Sequence, residues 1–310
     1  MILVTGATGF IGKFLVERLL NDHHSVRVLV RSGCQHNFTN CDVKVIVDSN
    51  IQSDYLFGVK VVIHLAARAH VMSEKIKGTD NPYWQPNVEF TNNLAIMAAA
   101  AGVERFIFLS SAKVFGEGFD GNRPYSEENI PSPVGLYAES KFSAELALRE
   151  ICKISKMQFV IIRPPVVYGP GVRANFLSLM KAIKICAPLP LNGLKNKRSI
   201  IFIDNLNDFI CLCLWHKNAV NQIFTVSDER PLTLTELSNL ISNFMGVRLI
   251  KFQLPFFLIH FLSRFKYIQK FYNRIFGSFV INSCKAYTLL GWMPPVSVEE
   301  GIRKTVENFN

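Results

Sequence analysis

The segment Met1-Ile2-Leu3-Val4-Thr5-Gly6-Ala7-Thr8-Gly9-Phe10-Ile11-Gly12-Lys13-Phe14 decides the fold. Three β-forming residues, Ile2–Val4, run straight into glycines spaced G-x-x-G-x-x-G, and a helical pattern follows over Gly12–Asn21. That layout is the first turn of a dinucleotide-binding βαβ unit. Gly6 lets the strand turn sharply without a Cβ clash, Gly9 lets backbone approach a pyrophosphate, and Gly12 lets the helix pack close to the sheet. The helix opening near Gly9 aims its free N–H groups and positive dipole end at the phosphates. Gly6, Thr8, Gly9, Phe10, Ile11 and Gly12 are therefore the expected phosphate cradle.

Outward from this turn, strand and helix patterns alternate. Strands are expected at Ser25–Val30, Val43–Val47, Lys60–Leu65, Glu104–Leu109 and Gln158–Ile162, with helices at Asn87–Ala101 and Leu136–Ile154. Alternation of this kind builds a doubly wound parallel sheet, an α/β Rossmann fold, with its ligands beyond the carboxyl ends of the strands. From about Pro164 prolines cluster and the alternation is lost. Residues 1–168 are thus expected to form the cofactor-binding domain and 169–310 a smaller substrate domain. Strands at 199–203 and 222–226 are expected to be lent back to the first. Helices are expected at Leu232–Met245, capped by Thr233 or Thr235, and at Ser297–Phe309.

Composition narrows the function. The 310 residues carry 34 basic and 24 acidic side chains, a net charge of +10, which favours anionic partners. No zinc-ligand spacing, RNA-binding aromatic motif or long basic block is present, so nucleic acid is not the expected partner. Seven scattered cysteines, with no C-x-x-C pair, read as reduced thiols of a cytoplasmic protein, and no metal site is expected. Only Ile2–Val4 precede the glycine turn, so no signal peptide is expected. No apolar run approaches the roughly 20 residues that span a bilayer. Lys251–Phe279 interleaves ten Phe or Tyr residues with Lys251, Arg264, Lys266, Lys270 and Arg274. Its leading reading is a buried or dimer-facing helical segment. A peripheral contact with an anionic membrane surface is the alternative.

Tyr137-Ala138-Glu139-Ser140-Lys141 is the second anchor. Of the eight tyrosines, only Tyr137 has a lysine four residues on, which puts both on one helix face. A phenol titrates near about 10, so it acts as a base at neutral pH only with a cation beside it. Lys141 supplies that cation and is placed to hold a cofactor ribose. Ser110-Ser111 follow the fifth strand, where a hydroxyl can bond a substrate oxygen and share the proton that Tyr137 moves. The alternative for these serines is a turn or cap. His64 ends an apolar strand and reads as a packed residue rather than a catalyst, while His70 lies in the following loop as a candidate substrate contact.

The second strand ends Val28-Leu29-Val30-Arg31-Ser32. An acidic residue there binds the ribose 2′-OH of NAD, whereas an Arg accommodates a 2′-phosphate, so Arg31 favours NADP over NAD. The alternative leaves Arg31 in solvent and binds NAD through Asp48 and other contacts.

The glycine turn, the serine and Y-x-x-x-K, in this order, resemble the extended short-chain dehydrogenase/reductases, and more narrowly the nucleotide-sugar epimerase/dehydratase/reductase family. The resemblance covers nearly the whole chain. It includes His64-Leu65-Ala66-Ala67, Asn87-Val88, Arg163-Pro164-Pro165-Val166-Val167-Tyr168-Gly169-Pro170, Asn175-Phe176, Arg198, Asp204-Asn205-Leu206 and Leu290-Gly291-Trp292. It implies that Ser111, Tyr137 and Lys141 are catalytic, and that Ala66, Ala67 and Pro164 line the cofactor. It further implies that Arg198 pairs with a substrate diphosphate and that Asn175 sits near the nucleotide of a UDP-sugar, in a homodimeric enzyme. Dehydratases of this family carry Asp-Glu after the catalytic hydroxyl, where this chain has Ala112-Lys113, so loss of water is not expected. Val166 stands where many members have an Asn that holds substrate phosphate.

The expected chemistry is hydride and proton exchange at C4 of the sugar. The chain most resembles the branch containing UDP-4-keto-6-deoxy-N-acetylhexosamine 4-reductases and their 4-epimerase neighbours, which serves cell-surface polysaccharide precursors, and Arg31 favours the reductase. The alternative is a UDP-glucose or UDP-N-acetylhexosamine 4-epimerase. A non-catalytic NADP-binding regulator is more distant, because both Tyr137 and Lys141 are kept.

Overall fold

The computed structural model describes residues 1–47, 50–69, 81–116, 123–253 and 277–309. Its centre is a seven-stranded, all-parallel sheet. The strands are β1 (Ile2–Thr5), β2 (Val26–Arg31), β3 (Asp42–Ile46), β4 (Val61–His64), β5 (Arg105–Leu109), β6 (Gln158–Arg163) and β10 (Gln222–Thr225). Their order is β10-β6-β5-β4-β1-β2-β3. β1, β4 and β5 are buried along their whole length, which is why VVIH and RFIFL read as unbroken apolar or aromatic runs.

Helices cover both faces. On one side α1 (Phe10–Asn21) and α5 (Ile203–Cys213) pack Leu15, Leu19, Leu206, Phe209 and Ile210 against Val4, Val28, Ile63 and Ile162. On the other, α2 (Phe90–Ala100) and α3 (Leu136–Ile154) pack Phe90, Leu94, Ala144 and Leu148 against Leu3, Val62, Phe106 and Ile161. The strand order reverses between β4 and β1, so the crevice open to a ligand lies at the carboxyl ends of these two strands.

A further cluster joins β7 (Val166–Tyr168), β9 (Ile200–Phe202), α4 (Ala174–Lys184), α6 (Leu234–Met245) and α8 (Val298–Glu307) around Tyr168, Phe176, Phe202, Ile241 and Ile302. Of the two late strands expected to join the main sheet, only Gln222–Thr225 does so, beside β6. The strand expected at 199–203 pairs instead with β7, as a separate two-stranded sheet, because Asp228 takes the Phe202 N–H and ties β9 to this cluster. The helix expected from Leu232 begins at Leu234. Leu232–Thr233 form β11 against β8 (Lys197–Arg198), and Thr233 closes a capping box with Glu236. A short α7 (Cys284–Leu290) precedes α8. The helices α4, α5 and α7 were not among those expected.

All seven cysteines are free thiols. Among the described residues no helix is long and apolar enough to cross a membrane. Asp48, His70 and residues 254–276 of the basic aromatic stretch lie outside the described residues.

Candidate active site

The glycine turn is shaped by backbone collisions. Gly6 has φ +71°, and a Cβ there would stand 2.6 Å from the Ala66 backbone nitrogen. This is the point where the chain leaving β1 meets the chain leaving β4, so Gly6 holds the crevice open at the switch point. At Gly12 a Cβ would stand 2.2 Å from the Gly6 carbonyl oxygen and 2.7 Å from Ala7 Cα. Gly12 therefore seats α1 against the turn itself. Gly9 precedes α1 with no side-chain cap, so the N–H groups of the first turn, Phe10, Ile11 and Gly12, keep no intrahelical partner. A cradle that side chains would fill, with free donors along one wall, fits the pyrophosphate of a dinucleotide. Thr8 and Gly9 are exposed on that wall, Ala66 and Ala67 follow β4, and Pro164 follows β6 with its carbonyl accepting from Ala112 N–H at 2.9 Å. Arg31 ends β2 with its side chain exposed.

Across the crevice α3 presents Tyr137, Lys141 and Glu145 at four-residue spacing. The Ser111 side chain lies beside the Tyr137 phenol. Burial pushes that phenol up to about 12, against which Ser111 works, while Tyr83 adds a further rise. The Tyr83 ring meets Tyr137 edge-on at 5.8 Å, and Lys113 Nζ lies 5.6 Å from the Tyr137 ring centre. Lys141 is buried and donates to the Leu109 carbonyl at 2.8 Å, over the Phe108 ring. Burial lowers its ammonium to about 7, and Glu145 opposes that fall. Lys141 thus meets the end of β5, while Ser111 is the group beside the phenol.

Ser111 also caps the 3₁₀ turn Ala112–Phe115 by accepting from Lys113 N–H at 3.3 Å. The cap reading and the catalytic reading of this serine are therefore compatible. Asn175 is exposed in the first turn of α4, and Arg198 lies on β8 with its Nε donating to the Gly277 carbonyl at 3.1 Å. The structure brings Ser111, Tyr137 and Lys141 together and leaves these two on separate elements.

Two buried networks support the site; of their members the sequence alone drew attention to His64 and Ser110, and the family resemblance to Asn87 and Arg163. His64 is fully buried between Thr5 and Thr91, at 2.6 Å from Thr5 Oγ1 and 2.9 Å from Thr91 Oγ1. The Thr91 hydroxyl donates to the Asn87 carbonyl, so it can only accept from His64 Nε2; Nδ1 then accepts from Thr5. This assignment needs a neutral ring, and burial, reinforced by Lys141, indeed lowers His64 to about 3. Asn87 continues the chain: its Oδ1 accepts Arg68 N–H, and its Nδ2 donates to the Arg68 carbonyl and to Ser140 Oγ. Ser140 in turn donates to the Tyr137 carbonyl at 2.8 Å. The second network joins Glu145, Arg163 and Ser110. For Glu145 the one available signal was its four-residue spacing after Lys141.

The family model described as the NAD dependent epimerase/dehydratase family matches residues 2–227. The UDP-glucose 4-epimerase of Vibrio cholerae is 36% identical over 99% of this chain and 95% of its own. The N-acetyl-alpha-D-glucosaminyl-diphospho-ditrans,octacis-undecaprenol 4-epimerase of Escherichia coli O157:H7 is 26% identical over 82% of this chain and 75% of its own. Among solved structures, the UDP-glucuronic acid 4-epimerase from Bacillus cereus, in complex with NAD, shares the fold with a TM-score of 0.80. It is 23% identical and covers 99% of this chain and 98% of that one. A glycine turn at the switch point of a Rossmann sheet, together with the Tyr–Lys helix α3, places the chain among Rossmann-fold enzymes of the epimerase/dehydratase type. The chain belongs to the NAD dependent epimerase/dehydratase family.

Proposed function

We propose that the protein is a nucleotide-sugar 4-epimerase acting on a UDP-linked hexose. The observation that carries this reading is the Ser111–Tyr137 contact beside buried Lys141, opposite the glycine cradle, in a chain 36% identical to a UDP-glucose 4-epimerase. Gly6, Gly9, Phe10, Ile11 and Gly12 hold the cofactor pyrophosphate, Ala66, Ala67 and Pro164 line its path, and Lys141 reaches its ribose. A bound nicotinamide supplies hydride exchange at sugar C4. Tyr137 takes the C4 hydroxyl proton and returns it, and Ser111 orients the sugar oxygen through the hydroxyl that already meets the phenol. With its phenol raised to about 12 by burial, Tyr137 needs a cation beside it before it can act as a base, and Lys141 is the cation on its own helix face. Ala112-Lys113 offers no acid–base pair for elimination, which keeps dehydration outside the proposal. Arg198 pairs with the substrate diphosphate and Asn175 contacts the nucleotide.

A 4-reductase is the second reading, and Arg31 favours it: exposed at the end of β2, it suits the 2′-phosphate of NADP. The family's dependence on NAD supports the epimerase reading with NAD as the retained cofactor. One assay separates them. Purified protein is incubated with UDP-glucose or UDP-N-acetylglucosamine, and separately with a UDP-4-keto-6-deoxy sugar plus NADPH. Epimer formation without net cofactor consumption is expected, and NADPH oxidation confined to the keto sugar would overturn it.

The proposed assembly is a homodimer. Ile96, Ile151 and Ile154 line one groove of about 310 Å³ between α2 and α3, with Ile96 50% and Ile154 89% exposed. Apolar side chains gathered on paired helices suit a second copy. Light scattering on the wild type and on Ile96→Asp checks this.

A further inference from the structure

Glu145 has no part in the proposed proton transfer, yet it is among the most buried acids of the described residues. Its Oε1 accepts from the Ser110 hydroxyl and from Arg163 Nε at 3.0 Å, and its Oε2 accepts from Arg163 Nη2 at 2.6 Å. Arg163 is itself buried and stacks over Phe115, with its guanidinium carbon 5.0 Å from the ring centre. The four groups come from four elements. Glu145 belongs to α3, Ser110 follows β5, Arg163 ends β6, and Phe115 closes the turn that Ser111 caps. Backbone bonds complete the clamp, from Ser110 N–H to the Ile162 carbonyl at 2.8 Å and from Ala112 N–H to the Pro164 carbonyl at 2.9 Å.

Stability alone does not account for such a pair. Each buried ion costs several kcal/mol of desolvation, and apolar side chains of similar volume are often at least as stable. What an apolar pair could not do is act on the site. Glu145 lies one helical turn from Lys141, and it grips the residue next to Ser111.

We propose that Glu145 is a positioning residue: clamped to Arg163 and Ser110, it sets Ser111 against Tyr137 and supplies the negative charge that keeps Lys141 an ammonium. This rests on the enzymatic reading above and deepens it. The groups around Lys141 leave this task to Glu145. From β4 comes His64, which is neutral; from its own helix comes Tyr137, protonated in the resting site; from β6 comes Arg163, a second cation held on the same carboxylate. Lys113, from the turn after Ser111, faces the Tyr137 ring. Lys285 of α7 and Glu127 act on each other farther out, beside Arg163. Glu145 is the acid that acts on Lys141 against the effect of burial.

The test needs no substrate at first. In the full chain carrying ¹³Cε-lysine, the Lys141 resonance is identified by its loss in Lys141→Met and titrated in the wild type, Glu145→Gln and Glu145→Asp. Glu145→Gln is expected to lower the Lys141 midpoint by about one pH unit or more, and Glu145→Asp, which keeps the charge, by less than about half of that. In turnover, Glu145→Gln is expected to lower kcat by roughly tenfold with KM nearly unchanged, and the alkaline limb of kcat moves with the resonance midpoint. A folded Glu145→Gln protein with wild-type midpoint and kcat would overturn the proposal. Should that variant fail to fold, Ser110→Ala removes only the hydroxyl of the clamp. A kcat lowered by about threefold at constant KM supports positioning, and wild-type kcat overturns it. If the wild type turns over no nucleotide sugar, the proposed function falls, while the Lys141 midpoint still decides whether Glu145 sets its charge.

Discussion

At Gly6–Gly12 backbone packs on backbone, whereas on the inner face of α3 a phenol, an ammonium and a carboxylate are buried within two helical turns. The turn tolerates no added atom, since a Cβ at Gly12 would overlap the Gly6 carbonyl and one at Gly6 would meet Ala66. The α3 face is sensitive to charge instead, because burial moves the Tyr137 phenol and the Lys141 ammonium away from their ordinary values. A region defined by excluded volume is readable from residue type. A region defined by desolvation depends on what the rest of the chain stacks around it.

This contrast can be broken most sharply at the turn. Gly12→Val is expected to abolish cofactor binding, because α1 must shift off the turn for the side chain to fit, and fluorescence titration with NAD and NADP checks it. An intact Kd would mean that steric exclusion does not shape the cradle. Tyr137→Phe is the matching change on α3. It is expected to leave cofactor affinity and melting temperature near wild type while lowering kcat by about 10² to 10⁴-fold, the range of a positioned acid–base group. Retained turnover would remove Tyr137 from the mechanism.

Away from both regions, Gly301 lies on α8 where a Cβ would stand 2.6 Å from the Tyr168 hydroxyl and 2.9 Å from Phe202 Cγ. Gly301→Ala is expected to cost about 1–3 kcal/mol by denaturant unfolding, with kcat per folded molecule unchanged.

The smallest effect concerns Asp228, which accepts from Tyr168, the Phe202 N–H and Asn205 but is raised to about 6 by burial. Its folded value exceeds its unfolded one, so the folded state binds the extra proton between about pH 4 and pH 6, and stability falls as pH rises through that window. Melting temperatures over this range should fall less steeply in Asp228→Asn than in the wild type. An identical slope would assign the pH dependence to other groups.

Much of the fold was legible because its signals are local. Ile2–Val4, Lys60–Leu65 and Glu104–Leu109 are short apolar runs that only a sheet covered on both faces can bury, and the structure places all three at its centre. Thr233 and Glu236 announced a helix start three residues apart. The strand at 200–202 was legible as a strand, and its partner was not. Its pairing with β7 is decided by Asp228, which lies 26 residues from Phe202 in the chain. α4 and α5 were hidden among prolines and strand-like residues, and tertiary packing around Tyr168 and Phe209 overrides those weak local preferences.

The candidate site divides in the same way. Gly6, Gly9 and Gly12, and the four-residue step from Tyr137 to Lys141, are determined by the sequence alone, since positive φ, close approach and helix period belong to residue type and spacing. Only the tertiary structure decided that Ser111 meets the Tyr137 phenol, that Lys141 turns to the Leu109 carbonyl, and that Glu145 closes on Arg163 and Ser110. Those contacts join α3 to the ends of two strands, and their strength comes from exclusion of water by side chains far apart in the chain. The glycine turn carries its meaning in its own atoms. The charge state of the groups facing it is a property of the packed molecule.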